Sequence, residues 1–404
     1  MLFEIALRNV LRNKKRSIII IAAITCGIWA GVVASAVSLG FSYASIQSAL
    51  ETRIAHIQIH ERDFGDSHAL RDTIPGAEIL IQNIRQLHGI RAVSGRTLAE
   101  GMASTAETAA GIVIEGIDPD QERNVSTLAQ KLVAGTYAIG SRRNAVLIGE
   151  ELAGKLAVRP GSKIVLTSQD VRGNITGGGF RVAGIFRTDS SPYDGSTVFV
   201  DKRELAQLLG TKDGIHEIAI LADDLKQAGS CAAAIRSLAP GLRTETWAEL
   251  APELRYINKY TEIYLNIFLY VIVLALLFGI MNTMLMSVLD RVRELGVLTA
   301  LGMRGRKIFT MIILESVVLS VPGAILGMAA GWGTVEQLKS TGINLAAFGE
   351  GLRQYGYSAM SYPILPFPMF EQVIVSILLA AVIGAFYPAW KAIRLDPAKA
   401  IRTY

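Results

Sequence analysis

DRVRELGVLTALGMRGRK, residues 290–307, separates two long apolar runs, residues 263–289 and 308–333. The first run carries no charged side chain. A bilayer's hydrocarbon core is about 30 Å thick and takes about 20 apolar helical residues to cross. Both runs are long enough. Five cations, Arg291, Arg293, Arg304, Arg306 and Lys307, crowd the short connector, and such an excess marks a cytoplasmic loop. Val292, Leu295, Leu298 and Leu301 recur at helical spacing, with Arg293 and Glu294 on the other side. Gly302 predicts the stop. The connector reads as a short amphipathic helix against the cytoplasmic face. Its residues alone leave two readings open: a turn resting its apolar side in the headgroups, or a docking helix for a cytoplasmic partner.

Of the 404 residues, 51% are hydrophobic and 19% charged, a balance that calls for membrane segments. The net charge of +5 clusters beside apolar runs, which fits positive-inside topology and argues against nucleic acid as a partner. Two cysteines, Cys26 in an apolar run and Cys231 in a soluble stretch, give no disulfide framework.

Residues 1–16 are basic, and no charge then appears until Glu51. This predicts a cytoplasmic segment 1–16 and a first spanning helix 17–40. Residues 41–262 read as an extracytoplasmic α+β domain with stalk helices at both ends. Helix two is 263–289, the connector 290–307 and helix three 308–333. A charge-poor outer loop, 334–369, contains only Glu336, Lys339, Glu350 and Arg353 as charged groups before helix four, 370–390, which carries Glu371 at its outer end. A basic cytoplasmic tail, 391–404, completes the chain. The fold class is thus a four-helix membrane protein with a large α+β domain inserted between helices one and two. Inside the domain, helices are expected at 79–87, 125–133, 150–156, 202–209 and 225–238. Strands are expected at 55–60, 111–117, 145–148, 163–167, 180–187, 196–200 and 215–221. Gly177-Gly178-Gly179 reads as a turn.

Few constellations suggest catalysis. Residues 149–156, GEELAGKL, nearly spell a phosphate-binding loop, but Leu156 stands where Ser or Thr would hold Mg²⁺. A strand, turn and ordinary helix explains them. His56 and His60, with His68 nearby, would share a helix face for a metal. The local period is two, which puts the first pair about 13 Å apart on one strand face and predicts solvated side chains rather than a metal site. Asp118-Pro119-Asp120 and Asp223-Asp224 suit turn and cap duty. Glu315, an ionisable group in the third apolar run, lies about 12 Å along the helix from Lys307. Such a carboxylate faces a partner or a cavity, or snorkels to the interface. A structural or mechanical role is expected for it. In the first helix Gly27, Gly31 and Ala34 open a groove. With Ile24, Ile28 and Ile280 it predicts that a pair of such chains presents an apolar, laterally open membrane cavity for acyl chains; the competing reading is helix-on-helix packing.

RVRELGVLTALGMRGRKIFTMIILES, residues 291–316, resembles the signature of the FtsX/MacB/LolC–LolE group of ABC-transporter permeases. YPAWKAIRLDPAKAIR, residues 387–402, resembles that group's C-terminal tail, and IALRNVLRNKKRS, residues 5–17, its entry segment. The resemblance implies that the connector is the coupling helix, with Arg293, Glu294, Leu295, Leu298, Leu301 and Gly302 against a cytoplasmic ABC ATPase subunit. It implies a second permease, in a homo- or heterodimer, in a bacterial inner membrane with both termini cytoplasmic. It implies a non-catalytic chain that binds no cofactor directly, ATP and Mg²⁺ belonging to the ATPase. HIQIHERDF, residues 56–64, is similar to the lipoprotein-release branch. Expected partners there are membrane lipid, a lipoprotein substrate and a periplasmic acceptor. Drug or peptide efflux, and signalling to a cell-wall hydrolase, are the alternatives the wider group implies.

Overall fold

The computed structural model describes residues 2–12, 14–64, 69–211, 214–345, 347 and 349–394. His68 and the end of the C-terminal motif, with Lys399 and Arg402, lie outside these residues. The chain divides into two compact units. One comprises Met1–Ser42, Asn258–Ile343 and Ser361–Tyr404; the other comprises Tyr43–Ile257 and Asn344–Met360.

The first unit is helical. A short amphipathic helix, Leu2–Arg12, precedes the long helix Lys14–Ala49. Pro252–Asp290, Gly305–Thr341 and Phe367–Ile393 supply three more helices long and apolar enough to cross a membrane. At about 1.5 Å per residue the first three run well past a 30 Å core. Gly323, Gly327 and Gly331 lie one helical turn apart in the third spanning helix. A Cβ at these positions would lie 2.9 Å from the Cβ of Ile24, 2.8 Å from the Cβ of Ile28 and 2.8 Å from Cγ1 of Val32. Three branched side chains of the first helix therefore sit directly on a glycine stripe of the third. Small residues let helix backbones approach where lipid gives no hydrophobic drive to association.

The residues expected to line an acyl cavity take part in this packing. Ile24, Ile28 and Ile280 are 2%, 3% and 4% exposed and belong to the core of the helical unit. Gly27 and Gly31 face Leu276 and Ile272 of the second helix, with 3.3 and 2.9 Å left for a Cβ. Ile280 lies against Gly384 of the fourth. The small residues serve helix contact.

The second unit is built on a ten-stranded mixed sheet. Its strands are β1 (Ile57–His60), β2 (Ile90–Ser104), β3 (Ala109–Ile117), β4 (Leu132–Gly135), β5 (Ala145–Gly149), β6 (Lys163–Gln169), β7 (Ile175–Phe186), β8 (Thr197–Asp201), β9 (Glu217–Ala222) and β10 (Arg243–Thr246). The order is β10-β1-β9-β2-β3-β8-β5-β7-β4, with β6 bridging β2 and β7. β3/β8 and β5/β7 are parallel. The 15-residue β2 is the hinge of the sheet: its first half pairs with β9, its second with β3 and β6. Helices Ala77–Arg85 and Ala228–Leu238 bury Ile81, Ile84 and Ile235 against Ile57, Ile59, Val93, Ile218 and Ile220. Helices Glu150–Lys155 and Lys202–Leu209 bury Leu152, Leu205 and Leu209 against Ile114, Val146, Ile148 and Val198.

Several local expectations change. Gly177-Gly178-Gly179 lies inside β7, paired with Thr167, Leu166 and Val165 of β6. The helix expected at 125–133 begins earlier, as Pro119–Val125. Asp118 caps it, accepting from the amides of Asp120 and Gln121, and Pro119 starts it; β4 then takes residues 132–135. Residues 344–360, expected as outer loop, belong to the α/β unit and contain the helix Gly349–Gln354.

Candidate functional site

The connector folds as the helix Val292–Ala300. Gly302 takes φ +88, the left-handed region that favours glycine. The Gly302 amide donates to the Thr299 carbonyl at 3.0 Å and the Met303 amide to Leu298 at 3.0 Å. These two bonds close the helix in a Schellman turn.

The helix turns its faces differently from the expected docking arrangement. Leu295 is 3% exposed and lies in the core of its own helical unit; Leu298 packs half-buried against the same core. The outer face instead carries Arg293, Glu294, Val297 and Leu301, with Leu301 80% exposed. Leu295 and Leu298, two of the three leucines read from sequence as the contact for a partner, anchor the connector to its own helical unit. An apolar stripe is consumed by the nearest apolar surface, and here that surface is intramolecular.

A chain of charges ties the connector down. Glu294 Oε1 accepts from Arg12 Nη2 at 2.6 Å, and its Oε2 from Arg291 Nε at 3.0 Å. Arg291 Nη1 reaches both carboxylate oxygens of Glu315, at 3.1 and 3.3 Å. Asn9 Nδ2 donates to Glu315 Oε1 at 2.5 Å. Glu294, Arg291 and Glu315 thus join three elements: the N-terminal helix, the connector and the third spanning helix. Partial burial alone would raise the Glu294 carboxyl; the hydrogen bonds from Arg291 and Arg12 outweigh it and hold the group below the usual carboxylate range. Glu315 is 4% exposed and is matched at close range by the Arg291 guanidinium. A cavity of about 20 Å³, lined in part by Ser17, Thr283, Ser287, Arg291 and Glu315, adjoins the pair; it has room for about one water.

The α/β unit holds a second ionic cluster. Arg96 on β2 forks onto Glu122, with Nη2–Oε1 at 2.6 Å and Nε–Oε2 at 3.2 Å, and reaches Glu217 on β9 at 2.8 Å. His60 lies 3.3 Å from Glu217, 8% exposed, and stacks on Phe64. The expectation of a solvated His60 is therefore corrected: both faces of β1 are covered. His56 accepts the Ala222 amide at 3.2 Å. Glu115 on β3 takes a 3.2 Å bond from the Tyr193 hydroxyl, and its Oε2 has no hydrogen-bond partner. Burial pushes the Glu115 carboxyl up to about 7 against the pull of Arg96, with Glu217 and Glu122 adding to the rise.

The phosphate-loop look-alike is a strand running into a short helix. A Cβ on Gly149 would lie 2.1 Å from the Asp194 carbonyl oxygen, so this turn is filled by its own fold. Glu150, at its start, pairs with Arg187. Cys26 and Cys231 are free thiols.

Residues 17–238 match the family described as MacB-like periplasmic core domain, and residues 266–397 that described as FtsX-like permease C-terminal. Among curated proteins, 305 residues are 24% identical to the lipoprotein-releasing system transmembrane protein LolC of Xylella fastidiosa, covering 72% of each chain. Over 415 residues the chain is 26% identical to an uncharacterized ABC transporter permease, YknZ, of Bacillus subtilis, covering 99% of this chain and 98% of that one. Over 419 residues it is 24% identical to the macrolide export ATP-binding/permease protein MacB of Campylobacter jejuni, covering 99% of this chain and 61% of the relative.

Proposed function

Because this chain belongs to the FtsX/MacB/LolC family of ABC-transporter permeases, we propose that it is a non-catalytic permease subunit that converts ATP hydrolysis on a separate cytoplasmic ATPase into release of lipoproteins from a bacterial inner membrane. The observation that carries the coupling half is the charge chain Arg12–Glu294–Arg291–Glu315. A helix that must transmit force needs a stiff joint to a spanning helix. Charge-assisted hydrogen bonds, being short and directional, supply one. In this reading the ATPase contacts the outer face of the connector, Arg293, Glu294, Val297, Leu301 and Gly302. Its closure on ATP moves the connector, Arg291 draws on Glu315, and the third spanning helix follows. The helices Lys14–Ala49 and Pro252–Asp290 carry the movement toward the α/β domain, which works on the outer side of the membrane. The basic segments favour both termini and the connector on the inside. A second permease, identical or not, completes the unit.

The likeness to the LolC protein favours lipoprotein as the cargo. The likeness to a macrolide-export protein, over 99% of this chain and 61% of that one, supports efflux of a small molecule as the second reading. The test is reconstitution of the full chain with its cognate ATPase in liposomes loaded with a triacylated lipoprotein. ATP-dependent release to a soluble acceptor is expected. Release of macrolide but never of lipoprotein would overturn the cargo, and ATP hydrolysis by the chain alone would overturn the non-catalytic assignment.

A further inference from the structure

We propose that Arg353 is a positioning residue of the coupling cycle, fastening the segment between the third and fourth spanning helices to the α/β domain. The inference rests on the permease reading for its purpose, but not for its geometry. Within the α/β unit, Arg353 ties the helix Gly349–Gln354 to the turn between β7 and β8. Its Nη2 donates to Asp194 Oδ2 at 2.8 Å and its Nε to the Thr188 carbonyl at 3.1 Å, while Nη1 lies 3.8 Å from Glu150 Oε2. Asp194 is fully buried and also accepts from the Thr188 amide and hydroxyl. Its backbone abuts Gly149 at the end of β5. The guanidinium is therefore plugged into the turn between β7 and β8.

The rest of the helix offers little other hold. None of its residues is buried, and Tyr355 just beyond it is 78% exposed. Beneath Gln354, Tyr355 and Gly356 lies an open cavity of about 260 Å³, bordered by Ser48, Asp189 and Glu253. The segment is held by a side-chain anchor rather than by an apolar face. Because residues 344–360 continue directly into the third and fourth spanning helices, this anchor gives those helices their own line into the α/β domain. It adds to the chain crossings after the first helix and before the second. Without Arg353 the segment would still be covalently attached but slack, and movement of the third helix would be absorbed in it.

Hydrogen exchange on the full chain, alone and assembled with its ATPase in nanodiscs, tests this. In Arg353→Ala, amides of residues 349–357 should exchange at least about tenfold faster in the chain alone, since they lose the Arg353 tether. Arg353→Lys, which keeps the charge but not the fork, should fall between. In the assembled complex, addition of ATP should change protection of residues 188–194 in the wild type and not in Arg353→Ala. Unchanged exchange at 349–357 in both variants would overturn the anchor. Faster exchange there with the ATP response at 188–194 intact would overturn the positioning role while leaving the anchor. The first arm uses no ATPase, so failure of the permease reading shows separately, as absence of any ATP response in the wild type.

Discussion

Glu115 should make the α/β domain less stable as pH rises through neutrality. Its carboxyl sits near 7 in the folded chain against an ordinary 4.5. The sign follows from linkage: between these values the folded state holds a proton that the unfolded state has released, so stability is greatest below 4.5 and falls until pH passes about 7. The rise from 4.5 to about 7 corresponds to about 3 kcal/mol in all, of which about 2 kcal/mol falls between pH 5.5 and 8. Other groups titrate differently. His56 and His216 are held below 6.5, chiefly by burial, and oppose the trend across the histidine range. Glu217 is held low, its burial outweighed by Arg96 and His60, and acts below the window. Comparison with Glu115→Gln cancels these shared contributions. Amide exchange along β2, β3 and β9 of the full chain, corrected for intrinsic rates, is the assay. Between pH 5.5 and 8 the wild type should lose about 2 kcal/mol of protection relative to the variant, about thirtyfold in rate. A difference that is flat with pH, or that grows in favour of the wild type at high pH, would refute a neutral, buried Glu115.

Three further outcomes follow from the helical unit. Gly327→Leu should lower the thermal midpoint of the full chain in detergent, because its Cβ would lie 2.8 Å from Ile28 and from the Thr25 carbonyl; overpacking of this kind costs about 1–3 kcal/mol. Gly333→Leu, with nothing within 4 Å of its Cβ, should leave the midpoint in place. Leu295→Ala should cost about 2–5 kcal/mol by the same assay, whereas Val297→Ala, on the exposed face, should stay within about 0.5 kcal/mol. Glu294→Ala should leave membrane insertion intact but reduce substrate released per ATP several-fold, because Arg12 and Arg291 lose their shared carboxylate.

The spanning helices, the connector helix and its stop at Gly302 were legible in sequence because each is decided by residues close together in the chain. Apolar length sets a span, and one glycine at positive φ ends a helix. In the α/β domain the helix 202–209 and the strands near 145–149 and 196–201 were legible for the same reason. β2 was not. Its Ser94-Gly95 and Glu100-Gly101 break the alternation, and its partners β9, β3 and β6 are far along the chain. Gly101 is required there: a Cβ would lie 2.3 Å from the Thr167 carbonyl oxygen of β6. The glycine triplet of β7 misled for the opposite reason, since glycine serves close strand contact as well as turns. Long-range chemistry left no local trace. Asn9 meets Glu315 across 306 positions and Arg12 meets Glu294 across 282. The face of the connector was misjudged because periodicity shows that Leu295 and Leu298 share a side, not which surface that side meets. The same holds for Ile24, Ile28 and Ile280, whose apolarity suited a cavity and a helix contact equally well.

The coupling role of the connector is most directly tested by a photo-crosslinking amino acid at Leu301, in the full chain assembled with its cognate ATPase in native membranes. Leu301 is 80% exposed on the outer face of the connector. A control probe goes at Ile79, 67% exposed in the α/β domain. Capture of the ATPase from position 301 and none from position 79 is expected. Capture from position 79, or silence at position 301 in a complex that still hydrolyses ATP, would contradict it.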